Sequence, residues 1–332
     1  MHRVKSQGAH AQARNRETSV TLIQDTPADM HRPQPAIPVP GAALCIDPAG
    51  ALLGEGTLWS PREKALYWVD ILGRRLHRFD PATGERKNWS FGEEISALAE
   101  RAHAPGLIVT LRRGFALFDP ATGGEPHYLH QPELALPGNR FNDGKCDAQG
   151  SFWAGTMDFD CVAPTGGLYR YDPDGRCTCH DQGFAVTNGP TWSADGRCLY
   201  FNDTVNGRIH AYDFDSAAGT LSNKRLWLAF AAGDGVPDGM TTDAAGRLWI
   251  AHWGGACVSC HDPVTAQELC RVPLPTSHVT NCAFGGPDLR TLFISTARTG
   301  LTPEQLAEQP LAGGLFAVAM DSPGMPAGLF GG

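Results

Sequence analysis

The sequence predicts an all-β protein built as a six-bladed β-propeller, and three observations lead to this fold class. The 332 residues include 39 Gly and 25 Pro, a composition typical of many turns and short strands rather than long helices. Apolar and polar residues alternate in segments such as "RIHAYDFD" (208–215), which is the pattern of a half-buried strand. One unit of polar turn, strand, link, second strand and Asp/Gly-rich turn recurs six times, at intervals of roughly 40–50 residues that are typical of propeller blades.

Each of the six units is expected to form one blade. The units cover residues 58–85, 100–124, 146–160 with 166–176, 192–219, 242–267, and 284–300 with 313–321. A single blade cannot bury both of its faces, whereas blades stacked in a ring cover one another and leave no long exposed edge. Closure of the ring predicts that residues 43–47 pair with residues 314–321. A β-sandwich or a pair of barrels is the alternative fold.

Outside the blades, the sequence predicts one helix and two tails. The helix lies in "LTPEQLAEQ" (301–309), with Thr302 as N-cap and Pro303 at the first helical position. Residues 1–40 are polar, end in a Pro-rich stretch and are predicted to be a disordered N-terminal tail. The propeller domain is expected over residues 41–325, followed by a C-terminal tail at 326–332.

Charge and cysteine usage limit the expected partners and compartment. The net charge is −8 and no basic patch stands out, which argues against a nucleic-acid partner. No apolar run is long enough to span a membrane. The first residues lack the apolar core of a secretory signal, so the 10 Cys are expected to be reduced thiols of a cytoplasmic protein. A closed ring has no edge that must pair, which favours a monomer.

Polar side chains recur at one position of the repeat. Glu55, Asn142, Asn188 and Asp238 each lie four residues before an equivalent point of their units, and each is beside or near a glycine. Ser96, and Thr280 with Asn281, occupy this place in the other two units. This position begins the innermost strand, so the side chains should form a ring at one end of the central channel. Two carboxylates and two amide carbonyls are hard oxygen donors suited to a divalent cation, which predicts a central metal site. Caps of turns are the alternative role for these residues.

The same stretches resemble a known family. "LLGEGTLW", "NRFNDGKCDAQGSFWAGTM", "VTNGPTWSADGRCLYFNDT", "VPDGMTTDAAGRLWIAHWGG" and "FGGPDLRTLFISTAR" together are similar to the sugar lactonases that include gluconolactonase and regucalcin (senescence marker protein 30). The likeness covers about residues 43–321 and is greatest to bacterial sugar-acid lactonases that act on xylono-, arabinono- or gluconolactones.

This resemblance implies roles for individual residues. Glu55, Asn188 and Asp238 would bind one divalent metal ion, with Ca²⁺ expected and Zn²⁺, Mg²⁺, Mn²⁺ or Fe²⁺ as alternatives. Arg140 and Asn142 would contact the sugar lactone, and Asp238 would also be the catalytic acid/base. The family has a substrate-contacting Glu after the "AGTM" motif; here Asp158 or Asp160 stands in its place, and Asp160 is the predicted substrate-binding residue.

The predicted function is therefore metal-dependent hydrolysis of a sugar lactone, an aldono-1,4- or 1,5-lactone, to the aldonic acid in carbohydrate catabolism. The sequence has no "GxSxG" elbow, so the signature of a serine esterase is missing. Two alternatives remain at this stage. One is an organophosphatase or a lactonase for other lactones on the same scaffold, and the other is a non-enzymatic calcium-binding propeller of the regucalcin kind.

Overall fold

The structure is a computed structural model that describes residues 38–332; residues 1–37 of the predicted N-terminal tail lie outside the described residues. Its elements in chain order are β1 (Leu44–Asp47), β2 (Gly54–Ser60), β3 (Ala65–Asp70), β4 (Arg75–Phe79), β5 (Arg86–Ser90), β6 (Ile95–Glu100), β7 (Leu107–Leu111), β8 (Gly114–Phe118), β9 (His127–His130), β10 (Asn139–Cys146), β11 (Phe152–Asp158), β12 (Gly166–Tyr171), β13 (Cys177–Phe184), β14 (Thr187–Trp192), β15 (Cys198–Asp203), β16 (Arg208–Asp215), β17 (Thr220–Ala229), β18 (Val236–Thr242), β19 (Leu248–Trp253), β20 (Cys257–His261), β21 (Glu268–Pro273), β22 (Val279–Gly285), β23 (Thr291–Thr296), α1 (Pro303–Glu308) and β24 (Leu315–Ala319).

The strands form six four-stranded antiparallel sheets, each of which is one blade. Five blades use consecutive strands, β2–β5, β6–β9, β10–β13, β14–β17 and β18–β21, and the sixth has the order β22-β23-β24-β1. In the sixth, Leu44 pairs with Ala317 and Cys45 with Phe316, so the two ends of the chain close the ring. The predicted six-bladed propeller and its closure are confirmed.

The recurring Asp/Gly-rich turn holds a buried tryptophan in two blades. One Asp147 oxygen accepts from the backbone N–H groups two and four residues later, at 3.0 and 2.9 Å, and the other accepts from Trp153 Nε1 at 2.8 Å. Asp243 makes the same three contacts, at 3.0 Å each, the last of them with Trp249 Nε1. Both indoles are fully buried. Since a buried N–H without a partner costs free energy, this turn fixes the register of the strand that follows it.

The C-terminal segment crosses the propeller on the side opposite to the starts of the inner strands. The Met325 N–H donates to Thr242 O at 3.3 Å, and the Phe330 N–H donates to Glu100 O at 2.7 Å, at the last residues of β18 and β6. Phe330 is 2% exposed. Residues 326–332, which the sequence analysis treated as a tail, pack against the blades here and border a cavity of about 330 Å³ on the axis.

The only α-helix of the described part is α1, and its predicted start is confirmed. The Thr302 hydroxyl accepts from the Gln305 N–H at 3.3 Å, and the Gln305 side chain accepts from the Thr302 N–H at 2.9 Å. Pro303 occupies the first turn, where its missing N–H has no helical partner to lose. Among the described residues, no helix has the length and apolarity needed to cross a lipid bilayer.

Candidate active site at the propeller axis

Every inner strand is interrupted at the predicted ring position. The pairing register shifts between Glu55 and Leu58, Ile95 and Ala97, Phe141 and Gly144, Asn188 and Thr191, Pro237 and Met240, and Val279 and Asn281. Such a bulge breaks the alternation of side chains and re-aims one of them. The six first strands contact one another in a closed ring, β2 to β6, β10, β14, β18, β22 and back to β2. The bulges therefore lie together around the axis.

The Glu55 and Asp238 carboxylates meet at this axis. They are 3% and 4% exposed. Burial, followed by the charge of Asp143, raises the pKa of Glu55 to about 8. Burial and the neighbouring Glu55 carboxylate raise the pKa of Asp238 well above its ordinary value. Asp238 Oδ1 is buried without a hydrogen-bond partner in the described part of the chain. Close approach of the strands requires Gly239, where a Cβ would lie 2.3 Å from Asn281 Nδ2.

A chain of buried amides and one arginine continues from the carboxylates. Arg140 Nη1 donates to Asn142 Oδ1 at 2.6 Å, and Asn142 Nδ2 donates to Asn188 Oδ1 at 2.9 Å. Asn188 Nδ2 in turn donates to the Thr204 hydroxyl at 3.0 Å. Because Nδ2 of Asn188 is held by Thr204, its carbonyl oxygen stays turned toward the other ring residues. The structure thus brings together all four predicted ring residues and Arg140.

The structure places Asp143, which was not among the ring residues predicted from the sequence, in the ring. The side chain is 2% exposed, and one oxygen accepts from the Gly189 N–H at 3.1 Å and from Asn281 Nδ2 at 3.2 Å, both on other blades. Burial raises the pKa of Asp143, although the nearby Lys145 ammonium acts in the opposite direction. Lys145 Nζ itself donates to Met240 O. A signal was present in the sequence, because Asp143 directly precedes a glycine as Glu55 and Asp238 do.

The donor set at the axis is chemically suited to a hard divalent cation. Among the described residues, no three His, Cys, Asp or Glu side chains are arranged as a metal cluster, so an ion here would need oxygen ligands other than carboxylates as well. Glu55, Asp238 and the Asn188 carbonyl provide such a set. The unpartnered Asp238 Oδ1 and the raised pKa values of two adjoining carboxylates are what a site lacking its positive charge would have.

The two candidate acids after the "AGTM" motif differ in their contacts. Asp158 Oδ2 accepts from the Val162 and Ala163 N–H groups at 3.0 and 2.7 Å, which closes a turn and lowers the pKa of Asp158. Asp160 is exposed, and its carboxylate has no hydrogen bond within residues 38–332. Asp160 is therefore the acid left free to contact a ligand.

The His252 side chain is hydrogen-bonded inside the protein. Its Nδ1 contacts Asp234 O at 2.8 Å and its Nε2 contacts the Ser259 hydroxyl at 2.6 Å. Burial lowers the pKa of His252 to about 4. Both ring nitrogens are thus occupied by the chain itself.

Comparison with known proteins points to one family. The sequence profile of the SMP-30/gluconolactonase/LRE-like region matches residues 53–298. The chain is 38% identical to "Putative sugar lactone lactonase YvrE" of Bacillus subtilis over 82% of this chain and 93% of that protein. It is also 38% identical to the 6-deoxy-6-sulfogluconolactonase of Pseudomonas putida, over 87% and 98% of the two chains. The solved structure of the calcium-binding protein regucalcin from Agrobacterium tumefaciens superposes with a TM-score of 0.83 at 29% identity, covering 87% of this chain and 97% of that one.

Proposed function

The chain belongs to the SMP-30/gluconolactonase/LRE-like family, and we propose that it hydrolyses a sugar lactone, an aldono-1,4- or 1,5-lactone, to the aldonic acid with the help of one divalent ion. The observation that supports this most is the axial site itself. The charges of two buried carboxylates, Glu55 and Asp238, act on Arg140, which is hydrogen-bonded through Asn142 to Asn188. The kinship with proteins named as sugar lactone lactonases supports the same reaction.

Glu55, Asn188 and Asp238 would hold the ion, and Ca²⁺ is the ion we propose. Oxygen-only ligands favour Ca²⁺ over softer metals, and the similar solved structure is described as calcium-binding. When bound, the ion would supply positive charge that polarises the lactone carbonyl and acidifies water.

The chain's own residues supply the proton transfers. Water adds to the carbonyl carbon, and the bond from that carbon to the ring oxygen breaks. Asp238 takes the proton that water loses and returns it to the ring oxygen as that oxygen leaves as an alkoxide. The positive charge of a bound ion would keep the buried Asp238 carboxylate ionised and able to accept that proton.

Arg140 and Asn142 would orient the sugar. Within residues 38–332, Arg140 donates hydrogen bonds from Nη1 alone, to Phe141 O at 2.9 Å and to Asn142 Oδ1 at 2.6 Å. Its remaining N–H groups can donate to sugar hydroxyls or to the oxygen on which negative charge develops. Asp160, exposed beside the site, would accept from a sugar hydroxyl.

A lactone panel tests this proposal. D-Xylono-, L-arabinono- and D-gluconolactone should be opened faster than their spontaneous rates in a pH-stat assay, and a chelator should remove the excess rate until Ca²⁺ is returned. Arg140→Ala should keep Ca²⁺ binding and lose kcat/KM. If no lactone is opened faster with any divalent ion while Ca²⁺ still binds, the alternative of a non-enzymatic calcium-binding protein, suggested by the regucalcin likeness, replaces the enzyme.

The remaining sequence-based expectations stay proposals. We expect a cytoplasmic monomer that takes part in carbohydrate catabolism, with a small-molecule lactone as its only partner. All 10 cysteines lie in the described part and none forms a disulfide there. Light scattering of the purified protein would test the monomer.

A further inference from the structure

We propose that Arg112, together with Arg140, forms a subsite for an anionic substituent of the substrate, so that the preferred lactone carries a carboxylate, phosphate or sulfonate group on the carbon outside its ring. This inference rests on the proposed lactonase function and adds the class of its substrate. The structural basis is one aromatic ring, Phe159, that is shared by two guanidinium groups.

Arg112 and Arg140 belong to different blades but meet at Phe159. The guanidinium carbon of Arg112 lies 4.9 Å from the centroid of the Phe159 ring, and that of Arg140 lies 5.9 Å from it. The backbone ties the two arginines together as well, because the Phe141 N–H donates to Arg112 O at 3.1 Å. An aromatic face holds a guanidinium in place without using its N–H donors.

Both guanidinium groups keep most of their donors free. In the described part, Arg112 makes one long hydrogen bond, from Nη2 to Pro137 O at 3.4 Å. Arg140, which is only 6% exposed, donates from Nη1 alone, as described above. The Arg112 side chain is 34% exposed, so it lies between the buried site and solvent. A ligand whose reacting end sits at the axis would therefore present its far end to Arg112.

Arg112 shares its nearest carboxylate, that of Glu94, with a second arginine. The buried carboxylate of Glu94 is held by Arg74 at 3.1 and 3.2 Å, whereas its distance to Arg112 Nη1 is 3.7 Å. Glu94 thus already has a partner other than Arg112. Asp160, exposed next to Phe159, and the buried Glu94 both carry negative charge that opposes an anion here.

The bidentate donors of guanidinium match oxyanions in geometry as well as in charge. A neutral hydroxymethyl group at the same place would gain only ordinary hydrogen bonds with a solvated arginine. We therefore expect the subsite to lower KM for an anionic lactone and to leave the chemical step unchanged, because the charge lies away from the carbonyl that reacts.

The test compares lactones that differ only at the carbon outside the ring. D-Glucono-1,4-lactone is compared with D-glucaro-1,4-lactone, and D-glucono-1,5-lactone with its 6-phosphate and its 6-deoxy-6-sulfonate. With the Ca²⁺-loaded wild-type enzyme, kcat/KM for at least one anionic lactone should exceed that for its neutral counterpart by about 10-fold or more. This ratio corresponds to the free energy of one charge-assisted hydrogen bond, and it should arise from a lower KM. The advantage should shrink as ionic strength rises.

Arg112→Met should remove this advantage while the kcat/KM for the neutral lactone stays within about twofold. Arg112→Lys should retain part of it, since the charge remains and the fork is lost. The matched control is Arg113→Met, which deletes the neighbouring arginine; its side chain is 58% exposed and contacts Glu93 at 3.8 Å. This control should keep the full anion preference. Asp160→Asn, by removing the opposing charge, should increase the preference.

Two outcomes overturn the inference and leave lactone hydrolysis standing: equal kcat/KM for neutral and anionic lactones in the wild type, or an equal effect of Arg112→Met on both. If no lactone is opened at all, the proposed function fails, and calorimetry then decides the subsite. In that case tighter binding of 6-phosphogluconate than of gluconate, abolished in Arg112→Met but not in Arg113→Met, supports the subsite. Equal binding of the two acids disproves it.

Discussion

Replacement of Glu55 by Gln should stabilise the metal-free protein relative to the wild type as pH rises. In excess Ca²⁺ the same replacement should make the protein less stable than the wild type. In the metal-free protein, burial and the Asp143 charge raise the pKa of Glu55 from the ordinary 4.5 to about 8. The unfolded chain therefore releases this proton at lower pH than the folded protein does. As pH rises above 4.5, the unfolded state gains relative to the folded state, until the folded carboxyl also ionises near pH 8.

The magnitude follows from the width of this interval. Between pH 5.5 and 8, the wild-type protein should lose about 3 kcal/mol of unfolding free energy through Glu55 alone. Glu55→Gln has no such proton, so the difference in stability between variant and wild type should shift by that amount across the two pH values. Comparing two pH values removes the constant cost of burying the amide.

The assay is urea unfolding of chelated protein at pH 5.5 and 8, with the same measurements in excess Ca²⁺. Adding Ca²⁺ should stabilise the wild type according to its affinity for the ion, and should stabilise Glu55→Gln much less. Without Ca²⁺, the unfolding free energy of the variant should therefore rise relative to that of the wild type as pH increases, whereas in excess Ca²⁺ it should be the lower of the two. Glu125→Gln, at an exposed position, is the control and should follow the wild type. Parallel pH curves for Glu55→Gln and wild type would refute the assignment of a buried carboxylate cluster to the axis.

Three further predictions test other parts of the molecule. Asp238→Asn should lower kcat/KM for the lactone by about 10²–10⁴-fold in the pH-stat assay, which is the usual contribution of a general base. The control Asp195→Asn, on an exposed turn, should keep full activity. An active Asp238→Asn enzyme would remove Asp238 from the mechanism. Asp147→Asn would turn an NH₂ group toward Trp153 Nε1 and should cost roughly 1–3 kcal/mol in urea unfolding, and an unchanged midpoint would show that the turn does not anchor the indole. Because burial lowers the pKa of His252 to about 4 from 6.5, the unfolded chain takes up this proton first as pH falls, and the protein should lose roughly 3 kcal/mol between pH 6.5 and 4. His252→Asn should lack that part of the acid sensitivity, and identical urea midpoints for variant and wild type across this range would contradict it.

The sequence was informative where one physical requirement is repeated in every blade. Strand alternation, turn residues and the spacing of units recur, so the blades and their closure by β1 and β24 could be read without coordinates. The ring position was visible for the same reason, because a glycine accompanies Glu55, Asn188 and Asp238. Asp143 was missed because the sequence "NDG" offers two polar candidates, and only the bulge geometry decides which of them turns toward the axis.

The anion subsite lay beyond sequence reasoning for a different reason. Arg112 follows β7, Phe159 follows β11, and Arg140 is the second residue of β10, so no local spacing relates them. Their meeting depends on how neighbouring blades pack. A local pattern can predict a turn or a strand, but contacts between separate loops are set by the tertiary arrangement.

The six blades repeat one backbone, yet among the described residues only some of them place a charged side chain at the axis, and the hydrogen bonds show how two of the others differ. The Ser96 hydroxyl lies 2.8 Å from the Thr110 hydroxyl, and Thr280 Oγ1 lies 2.9 Å from the Ser295 hydroxyl. Thr280 Oγ1 also donates to Gly54 O of the adjoining blade, so both hydroxyls are satisfied by the chain and bring no charge to the axis. The other four blades carry Glu55, Asn142 with Asp143, Asn188 and Asp238, and Asp238 Oδ1 has no partner among the described residues. Because a buried charge needs compensation, the buried carboxylates of Glu55, Asp143 and Asp238, which come from alternate blades around the ring, create a demand for positive charge at the axis.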